Sequence, residues 1–365
     1  MMEKKTWIGR IFHCIVIFLL TAAIIFSVGW VQEVRQHADR KKDLETLQVV
    51  SERVVVPGGQ SVGIRMNVKG VLVVGLEEIE TKDGIVSPGY DAGIQIGDII
   101  VSINGTPVTY ASDVDRIVNQ TMKELDLTVL RKNQKLEIQL KPVNVFDTDQ
   151  YKIGVWVKER IAGIGTLTFY DPQNNIYAAL GHGIYETKTN TLLEAGKGEL
   201  LQTEVKSIRE GTAGKPGEIR GIFCREDEAI GNVIKNSQYG IYSLGTDFAG
   251  FEEAAPVIMA TQDQIEVGPA QIRTTISGTD VETFDVHIDK INPQKAAGSK
   301  GIELTVTDER LLAYSGGIVQ GMSGSPILQN GRLIGAVTHV FVNDPSRGYG
   351  IFAEWMAEEC QHAAA

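Results

Sequence analysis

The six residues Gly321-Met322-Ser323-Gly324-Ser325-Pro326 decide how this sequence is interpreted. Two glycines relieve the steric cost of a tight turn, and Pro326 stiffens the chain where it leaves that turn. A serine in such a turn exposes its hydroxyl, and the backbone N–H groups of Gly321 and Ser323 can then point at a developing oxyanion. The hexapeptide therefore predicts the nucleophile and the oxyanion hole of an acyl-transfer enzyme.

The segment after the hexapeptide predicts a pair of apolar strands. Residues 326–337 contain an Asn330-Gly331 pair between apolar runs, which is a strong signal for a tight hairpin turn. A G-x-S-G-x-P loop followed by two strands resembles the nucleophile loop of chymotrypsin-like peptidases. Short strands separated by glycine turns agree with a barrel or sandwich. We expect a mainly β chain in which residues 143–360 form a chymotrypsin-like double β-barrel, followed by a tail at 361–365.

A nucleophilic serine needs a base within hydrogen-bond reach, and histidine is the usual one. His182 follows the apolar run Ile176–Leu180, lies between two glycines, and precedes the serine along the chain. This context favours His182 as the general base. His287 alternates with apolar neighbours and is expected on the solvated face of a strand. His339 is a candidate wall residue of the specificity pocket, although a plain strand histidine explains the same pattern.

Asp308 is the candidate for the carboxylate that orients the base. It continues the apolar face of the predicted strand 302–306, and a carboxylate on an apolar face needs a partner such as His182. The competing interpretation makes Asp308 the N-cap of a short helix over Glu309–Tyr314. The residues alone leave both interpretations open.

Residues 54–142 predict a separate folded segment of short strands and one amphipathic helix. The run Ser87–Gly105, which ends in A-G-I-Q-I-G-D-I-I-V-S-I-N-G, resembles the core motif of PDZ domains, especially those fused to bacterial proteases. PDZ domains add a peptide as a strand to a sheet edge and capture its carboxylate on backbone N–H groups. The resemblance implies an α/β, partly open β-sandwich with a carboxylate-binding loop at Val62-Gly63-Ile64, facing the helix Ala111–Gln120. A glycine that merely starts a strand is the plainer interpretation of Gly63.

The amino end predicts a membrane anchor. Ile11–Val31 is an almost unbroken apolar run preceded by basic residues, and about 20 apolar residues cross a bilayer core. The run is longer than the apolar part of a signal peptide. We therefore expect residues 1–31 to be a cytoplasmic segment and retained signal anchor, and residues 32–53 to be a charged stalk. Cleavage after residues 27–29 is the alternative.

Composition excludes several classes of protein. The 35 basic and 46 acidic residues give a net charge of −11, which argues against a sequence-independent grip on nucleic acid. The three cysteines lie far apart without a CxxC pair, so a disulfide scaffold and a thiolate zinc site are disfavoured. The sequence offers no cluster of metal ligands, and we expect neither a metal nor an organic cofactor.

The combination of these motifs resembles the SpoIVB peptidases, which are the stage IV sporulation serine peptidases of endospore-forming bacteria. The resemblance rests on the anchor, the PDZ segment, Ala179-Leu180-Gly181-His182-Gly183, Thr307-Asp308 and the serine hexapeptide. It implies a triad in which His182 is the base, Ser323 the nucleophile and Asp308 the orienting acid.

The same resemblance implies a place and a role. The exported domain would work between forespore and mother cell, either held by the anchor at residues 11–31 or released. It would cleave itself near its amino end, in cis or in trans, and then a regulatory membrane-protein complex. That cleavage would activate an intramembrane protease and the processing of a late sigma factor. The PDZ domain would bind peptide C-termini or internal segments of these targets.

Two other functions compete with this one. A catalytically inactive membrane tether or scaffold would keep the anchor and the PDZ domain without needing His182, Asp308 and Ser323 together. A cytoplasmic esterase would place a Gly-x-Ser-x-Gly elbow in a parallel α/β fold, which the strand–turn–strand setting of Ser323 disfavours.

Overall fold

The computed structural model describes residues 53–364, apart from residues 133, 187–190, 194–197, 225–227 and 246–253. The anchor expected at residues 11–31 and the stalk expected at residues 32–53, except Arg53, lie outside the described residues. Within the described ranges, no helix is long and apolar enough to cross a bilayer.

β-Strands dominate the described residues, so the prediction of a mainly β chain is confirmed. In chain order the strands are β1 (Val54–Pro57), β2 (Ser61–Leu76), β3 (Ile79–Thr81), β4 (Gly84–Val86), β5 (Ile99–Ile103), β6 (Thr106–Pro107), β7 (Leu125–Arg131), β8 (Gln134–Leu140), β9 (Val143–Asn144), β10 (Tyr151–Lys152), β11 (Val155–Asp171), β12 (Ile176–Ala179), β13 (Tyr185–Glu186), β14 (Thr191–Leu192), β15 (Gly198–Arg209), β16 (Glu218–Phe223), β17 (Ala229–Ser237), β18 (Gly240–Gly245), β19 (Val257–Met259), β20 (Gly268–Thr274), β21 (Glu282–Ile291), β22 (Ile302–Val306), β23 (Pro326–Gln329), β24 (Arg332–Phe341) and β25 (Asp344–Phe352). The helices are α1 (Pro88–Asp91), α2 (Ala111–Thr121), α3 (Glu309–Ser315) and α4 (Ala353–Ala364), with a 3₁₀ helix at Gln262–Gln264.

Six antiparallel strands close a first barrel. Their order is β2, β11, β12, β18, β17, β15 and back to β2. Successive side chains of a strand point to opposite faces, so each strand sends alternate residues inward. The interior is apolar and fully buried, and it includes Val62, Leu167, Leu200 and Ile241.

A second barrel closes in the same way, through β20, β21, β22, β25, β24, β23 and back to β20. Its buried core includes Ile272, Phe284, Leu304 and Ile327. Two closed barrels of six strands each are the arrangement that the resemblance to chymotrypsin-like peptidases predicts.

The two barrels share a junction. Strand β1 pairs with β11 of the first barrel at Val56↔Tyr170 and with β19 at Val54↔Ile258, and β19 pairs in parallel with β24 of the second. Helix α4 packs into the same junction, because its fully buried Met356 joins a cluster formed by side chains from both barrels. The two barrels are therefore joined by strand pairing and by a shared apolar cluster.

The PDZ-like part has its own core. Strands β5, β7 and β8 pair in succession, and α2 buries Val114, Ile117 and Val118 against them. Asp98 is fully buried, and both of its carboxylate oxygens accept hydrogen bonds of 2.7 Å from Arg131. A buried carboxylate needs such a partner, since desolvation would otherwise be costly.

The sequence predicts that the PDZ domain begins at residue 54, whereas the strand pairings divide β2 between the two parts. Strand β1 pairs with β11 of the first barrel and the first residues of β2 belong to that barrel, whereas Val71 and Leu72 of β2 pair with β5 of the PDZ-like part. The pairing of β2 with β11 continues from Leu76↔Val155 to Ser61↔Thr166, with two register shifts. The PDZ-like part is thus inserted between two neighbouring barrel strands, and it shares both of them.

Candidate active site

The loop that carries Ser323 precedes β23 and is fixed from both sides. Gly321 and Gly324 have φ angles of +103° and +97°, which side chains rarely tolerate. A Cβ atom on Gly324 would lie 2.0 Å from the carbonyl oxygen of Thr166. Thr166 also donates its N–H to the Ser323 carbonyl at 2.9 Å and its hydroxyl to the Gly321 carbonyl at 2.8 Å. The first barrel therefore holds the serine loop of the second.

Two backbone donors of this loop are available to a ligand. The N–H of Met322 is bound to the carbonyl of Val319 at 3.1 Å. In the part of the chain that the structure describes, the N–H groups of Gly321 and Ser323 have no acceptor. These are the two donors that the hexapeptide predicts for the oxyanion hole, and their role there stays a prediction.

The Ser323 hydroxyl points at a neighbour that the residue types do not predict. It donates to the backbone carbonyl of Thr338 at 2.9 Å, and among the described residues it makes no hydrogen bond to a histidine. A backbone acceptor leaves no signal in the residue type, so only the structure could reveal this contact. In this state the serine is held but not deprotonated.

His182 follows β12, at the end of the first barrel that faces the serine loop. Leu180 and Gly181 both have left-handed backbone conformations, with φ of +69° and +67°. Nδ1 of His182 lies 2.9 Å from the carbonyl oxygen of Gly183. A carbonyl can only accept, so Nδ1 carries the proton and Nε2 keeps its lone pair. Burial lowers the pKa of His182, and the Gly183 hydrogen bond opposes this shift in part.

His339 lies beside His182. It projects from β24, and the two imidazole rings are 5.3 Å apart at an interplanar angle of 38°. Although part of its ring faces solvent, loss of hydration lowers the pKa of His339 to about 4, and the charges of His182 and Lys300 add to the effect. At neutral pH it is therefore an uncharged wall residue. A role in specificity stays a prediction.

His182, Ser323 and His339 line one cleft of about 650 Å³ at the junction of the barrels. We call it the catalytic cleft. Apart from the two histidines, the described residues of its lining include no ionisable side chain except Tyr185, and most of them are aliphatic. Its other lining residues are Ile64, Ile161, Ala162, Gly163, Ile164, Leu180, Gly183, Ile184, Pro216, Ile318, Val319, Gln320, Gly321, Thr338, Val340 and Val342. An apolar cleft with two uncharged imidazoles suits proton transfer more than the binding of a highly charged ligand.

Asp308 is not brought to this cleft. It is the N-cap of α3: its Oδ1 accepts from Arg310 N at 2.9 Å, and its Oδ2 accepts from Asp285 N at 3.3 Å. The Arg310 guanidinium also binds both oxygens, at 3.1 and 2.8 Å, and it lowers the pKa of Asp308. The geometry supports the helix-capping interpretation that the sequence left open. The assignment of Asp308 as the orienting acid rests on the family resemblance alone.

Val62, Gly63 and Ile64 do not form a carboxylate-binding loop. They are buried in the interior of β2, which pairs with β11 on one side and β15 on the other. Both edges are occupied, so no peptide can be added there. Gly63 is required for packing, because a Cβ atom at this position would lie 2.3 Å from the ring of Phe223. The expectation of a peptide site at these residues is therefore corrected.

A groove of the PDZ-like part lies elsewhere, between α2 and residues 151–157. Its volume is about 320 Å³, and its walls include Val114 and Val118 of the helix and Ile153, Val155 and Val157 opposite them. In the described residues, the edge of β11 that faces α2 has no strand partner. The sequence Ile153-Gly154-Val155, at the start of β11, is the signal that could have located this groove.

Side-chain hydrogen bonds hold this groove in shape. The amide of Asn119 accepts from the N–H of Tyr151 at 2.8 Å and donates to its carbonyl at 3.3 Å. The carboxylate of Glu159 accepts from Ala111 N, at the start of α2, at 2.8 Å. The start of α2 is thus bound to β11, and the end of α2 is bound to β10.

Comparisons with known proteins identify two family models that match this chain. A family model described as SpoIVB peptidase S55 matches residues 149–357, and a PDZ domain model matches residues 85–131. No curated protein matches the sequence. Among solved structures, the Rv3671c protease from M. tuberculosis in its active form has a TM-score of 0.33 and 11% identity, covering 56% of this chain and 75% of that chain. The HtrA-type protease AlgW with a decapeptide has a TM-score of 0.33 and 11% identity, covering 60% of this chain and 55% of that one.

Proposed function

The chain belongs to the SpoIVB peptidase S55 family and is a serine endopeptidase, and from this premise we propose that it acts in sporulation signalling with Ser323 as nucleophile and His182 as base. The observation that carries the residue assignment is the convergence of Ser323, His182 and Gly321 on one cleft at the junction of the barrels. Ser323 and Gly321 belong to one loop of the second barrel, whereas His182 comes from the first barrel and is remote from them in sequence.

The geometry supports a specific order of proton transfers. The Ser323 hydroxyl rotates from the Thr338 carbonyl to Nε2 of His182, which takes its proton as Oγ attacks the substrate carbonyl carbon. The carbonyl oxygen becomes an oxyanion and accepts from the N–H groups of Gly321 and Ser323. Protonated His182 then gives its proton to the leaving amine, and a water molecule hydrolyses the acyl-enzyme by the same steps. Throughout, the Gly183 carbonyl holds Nδ1–H and thereby orients the ring.

Peptide recognition by the PDZ-like part is assigned to the groove between α2 and residues 151–157. An extended peptide would add to the unpaired edge of Val155–Val157, with apolar side chains against Val114 and Val118. The N–H groups around Gly154, whose φ is +69°, would receive a terminal carboxylate. This assignment replaces the site expected at Val62-Gly63-Ile64.

The biological setting follows from the family. We assign the working domain to the space between forespore and mother cell, anchored through residues 11–31 or released from them. Its substrates are its own amino-terminal region and a regulatory membrane-protein complex, whose cleavage activates an intramembrane protease and late sigma-factor processing. The family's sporulation name supports this role.

The residue assignment is tested by labelling the full chain with a fluorophosphonate and sequencing the amino ends of its products. We expect labelling and self-cleavage in the wild type, and neither in Ser323→Ala or His182→Ala. His287→Ala is the matched control, because His287 is exposed and pairs with Asp289 outside the cleft. Equal labelling of the wild type and Ser323→Ala would contradict the assignment, and absence of labelling in both would support an inactive tether.

A further inference from the structure

A second cleft adjoins the catalytic cleft at Gly321. It has a volume of about 580 Å³ and continues from Gly321 to β16. Neither Ser323 nor His182 lines it. The residues common to the two clefts are Ala162, Gly163, Ile164, Gln320 and Gly321. The second cleft is therefore an extension of the catalytic cleft past the oxyanion donor.

Two strand edges border this second cleft. Residues 162–164 of β11 pair with β2, and no other strand of the described part of the chain pairs with them. Residues Gly221–Phe223 of β16 pair with β15 on one side, and within the described residues their other side has no strand partner. Unpaired edges offer alternating N–H and C=O groups to an extended peptide. The backbone of the cleft can thus bind a peptide strand of any sequence.

The side chains of the cleft favour apolar residues. Ile164, Ile219 and Phe223 line it, and among the described residues Glu218 is its one charged lining residue. The Phe223 ring is half-buried and rests on Gly63, where a side chain would displace it. Glycines at positions 163, 221 and 321 leave the space between these walls open. Burial of an apolar side chain here is favourable because it removes apolar surface from water.

We propose that the second cleft binds the part of the substrate that follows the scissile bond, as an extended segment with an apolar residue in its first two positions. The proposal rests on the peptidase function of Ser323. When Ser323 attacks, the substrate carbonyl oxygen lies at the N–H of Gly321, and the acyl part occupies the catalytic cleft beside His339. The amine part must continue away from Ser323, and the cleft that shares Gly321 is the surface that receives it.

The test is digestion of a mixed peptide library by the full chain, with sequencing of the new amino ends. We expect the wild type to enrich apolar residues in the first two positions after the cut, on the order of 10-fold over charged ones. Phe223→Lys should abolish this enrichment and favour acidic residues, whereas Phe223→Leu should keep it. A purely structural effect would slow all cleavages equally and leave the profile unchanged.

Val267→Lys is the matched control, since Val267 is 60% exposed and lines neither cleft; its profile should equal that of the wild type. If Phe223→Lys does not fold, Ile222→Lys replaces it, because this lining side chain is 51% exposed. A wild-type profile without apolar enrichment, or lysine variants with an unchanged profile, would overturn the proposal. Absence of any Ser323-dependent cleavage would instead overturn the peptidase function on which it rests.

Discussion

Ser323 donates its hydroxyl hydrogen bond to the carbonyl of Thr338 at 2.9 Å, and not to His182. Release of this bond costs about 1 kcal/mol, the net value of a single hydrogen bond, and a new bond to His182 would offset that cost. Thr166 fixes the backbone around the serine. In the mechanism that we propose, the serine therefore reaches His182 by rotation of its side chain, at a small cost in free energy.

The pH dependence of kcat/KM should report the His182 imidazole. The base must be uncharged, so activity should rise with pH as the ring loses its proton. Burial lowers the pKa of His182 from its ordinary value of 6.5, so we expect the acid-side midpoint to fall below pH 6.5. A midpoint above that value, measured with a substrate that has no titrating group, would show that His182 is not the base in this environment.

Gly324→Ala should unfold or strongly destabilise the serine loop. The substitution combines an unfavourable φ of +97° with a clash against the Thr166 carbonyl at 2.0 Å. We expect the free energy of unfolding to fall by about 3 kcal/mol or more. Gly331→Ala is the matched control, since its φ is +72° but no atom lies within 4 Å of the added Cβ. Gly331→Ala should lower the free energy of unfolding by about 1 kcal/mol. If chemical denaturation shows equal losses of unfolding free energy in the two variants, the clash with the Thr166 carbonyl does not determine the need for Gly324.

Asp308→Ala should lower stability through the loss of a helix cap, by about 1 kcal/mol. Asp308→Asn should lose less, because asparagine is also a good N-cap. The pKa of Asp308 is lowered by Arg310, so the charged cap contributes fully above the ordinary carboxyl pKa and is lost as pH falls through the lowered one. Thermal melting of both variants at pH 7 measures the difference.

The same pair of variants tests the triad that the family resemblance implies. A fall in kcat of Asp308→Asn, at a melting temperature close to that of the wild type, would show that the carboxylate reaches His182 in the working enzyme. Unchanged kcat would leave the Gly183 carbonyl as the group that orients the imidazole.

Trp156 should report peptide binding to the groove beside α2. It lines that groove with its side chain 60% exposed, so a bound peptide should bury the indole and shift its emission to shorter wavelength. The signal of Trp355 should not change, since its indole N–H is already bonded to Gln294. Trp156→Phe should remove the shift. A shift that persists in this variant would place the peptide elsewhere.

Local patterns predicted much of the site, and contacts between remote residues determined the rest. Glycines around Ser323 and His182 predict tight turns, because the conformation of a turn depends on residues that are neighbours in the sequence. The need for a glycine at position 63 comes from Phe223, which lies far along the chain. A loop glycine and a packing glycine look identical in sequence, and the PDZ site was misplaced for that reason.

Asp308 shows a second limit of the same kind. An aspartate at the end of a strand predicts either a buried partner or a helix cap, and residue types cannot separate the two. The structure favours the helix cap, because the Arg310 guanidinium and the Asp285 N–H donate hydrogen bonds to the Asp308 carboxylate. The double β-barrel could be predicted from a longer stretch of sequence, since predicted strands and turn residues recur over residues 143–360. An ambiguous position in one strand therefore does not change the predicted fold.

The sharing of β2 and β11 has a consequence for the biosynthesis of the chain. The ribosome completes β2 long before its neighbour β11 exists, so the first barrel cannot close until the whole inserted part has been made. Because Leu76 and Val155 are paired neighbours, a two-residue turn would in principle join them directly. Excision of residues 77–154 should therefore spare the barrel, whereas excision of residues 54–142 would remove β2, one of its six strands, together with β1.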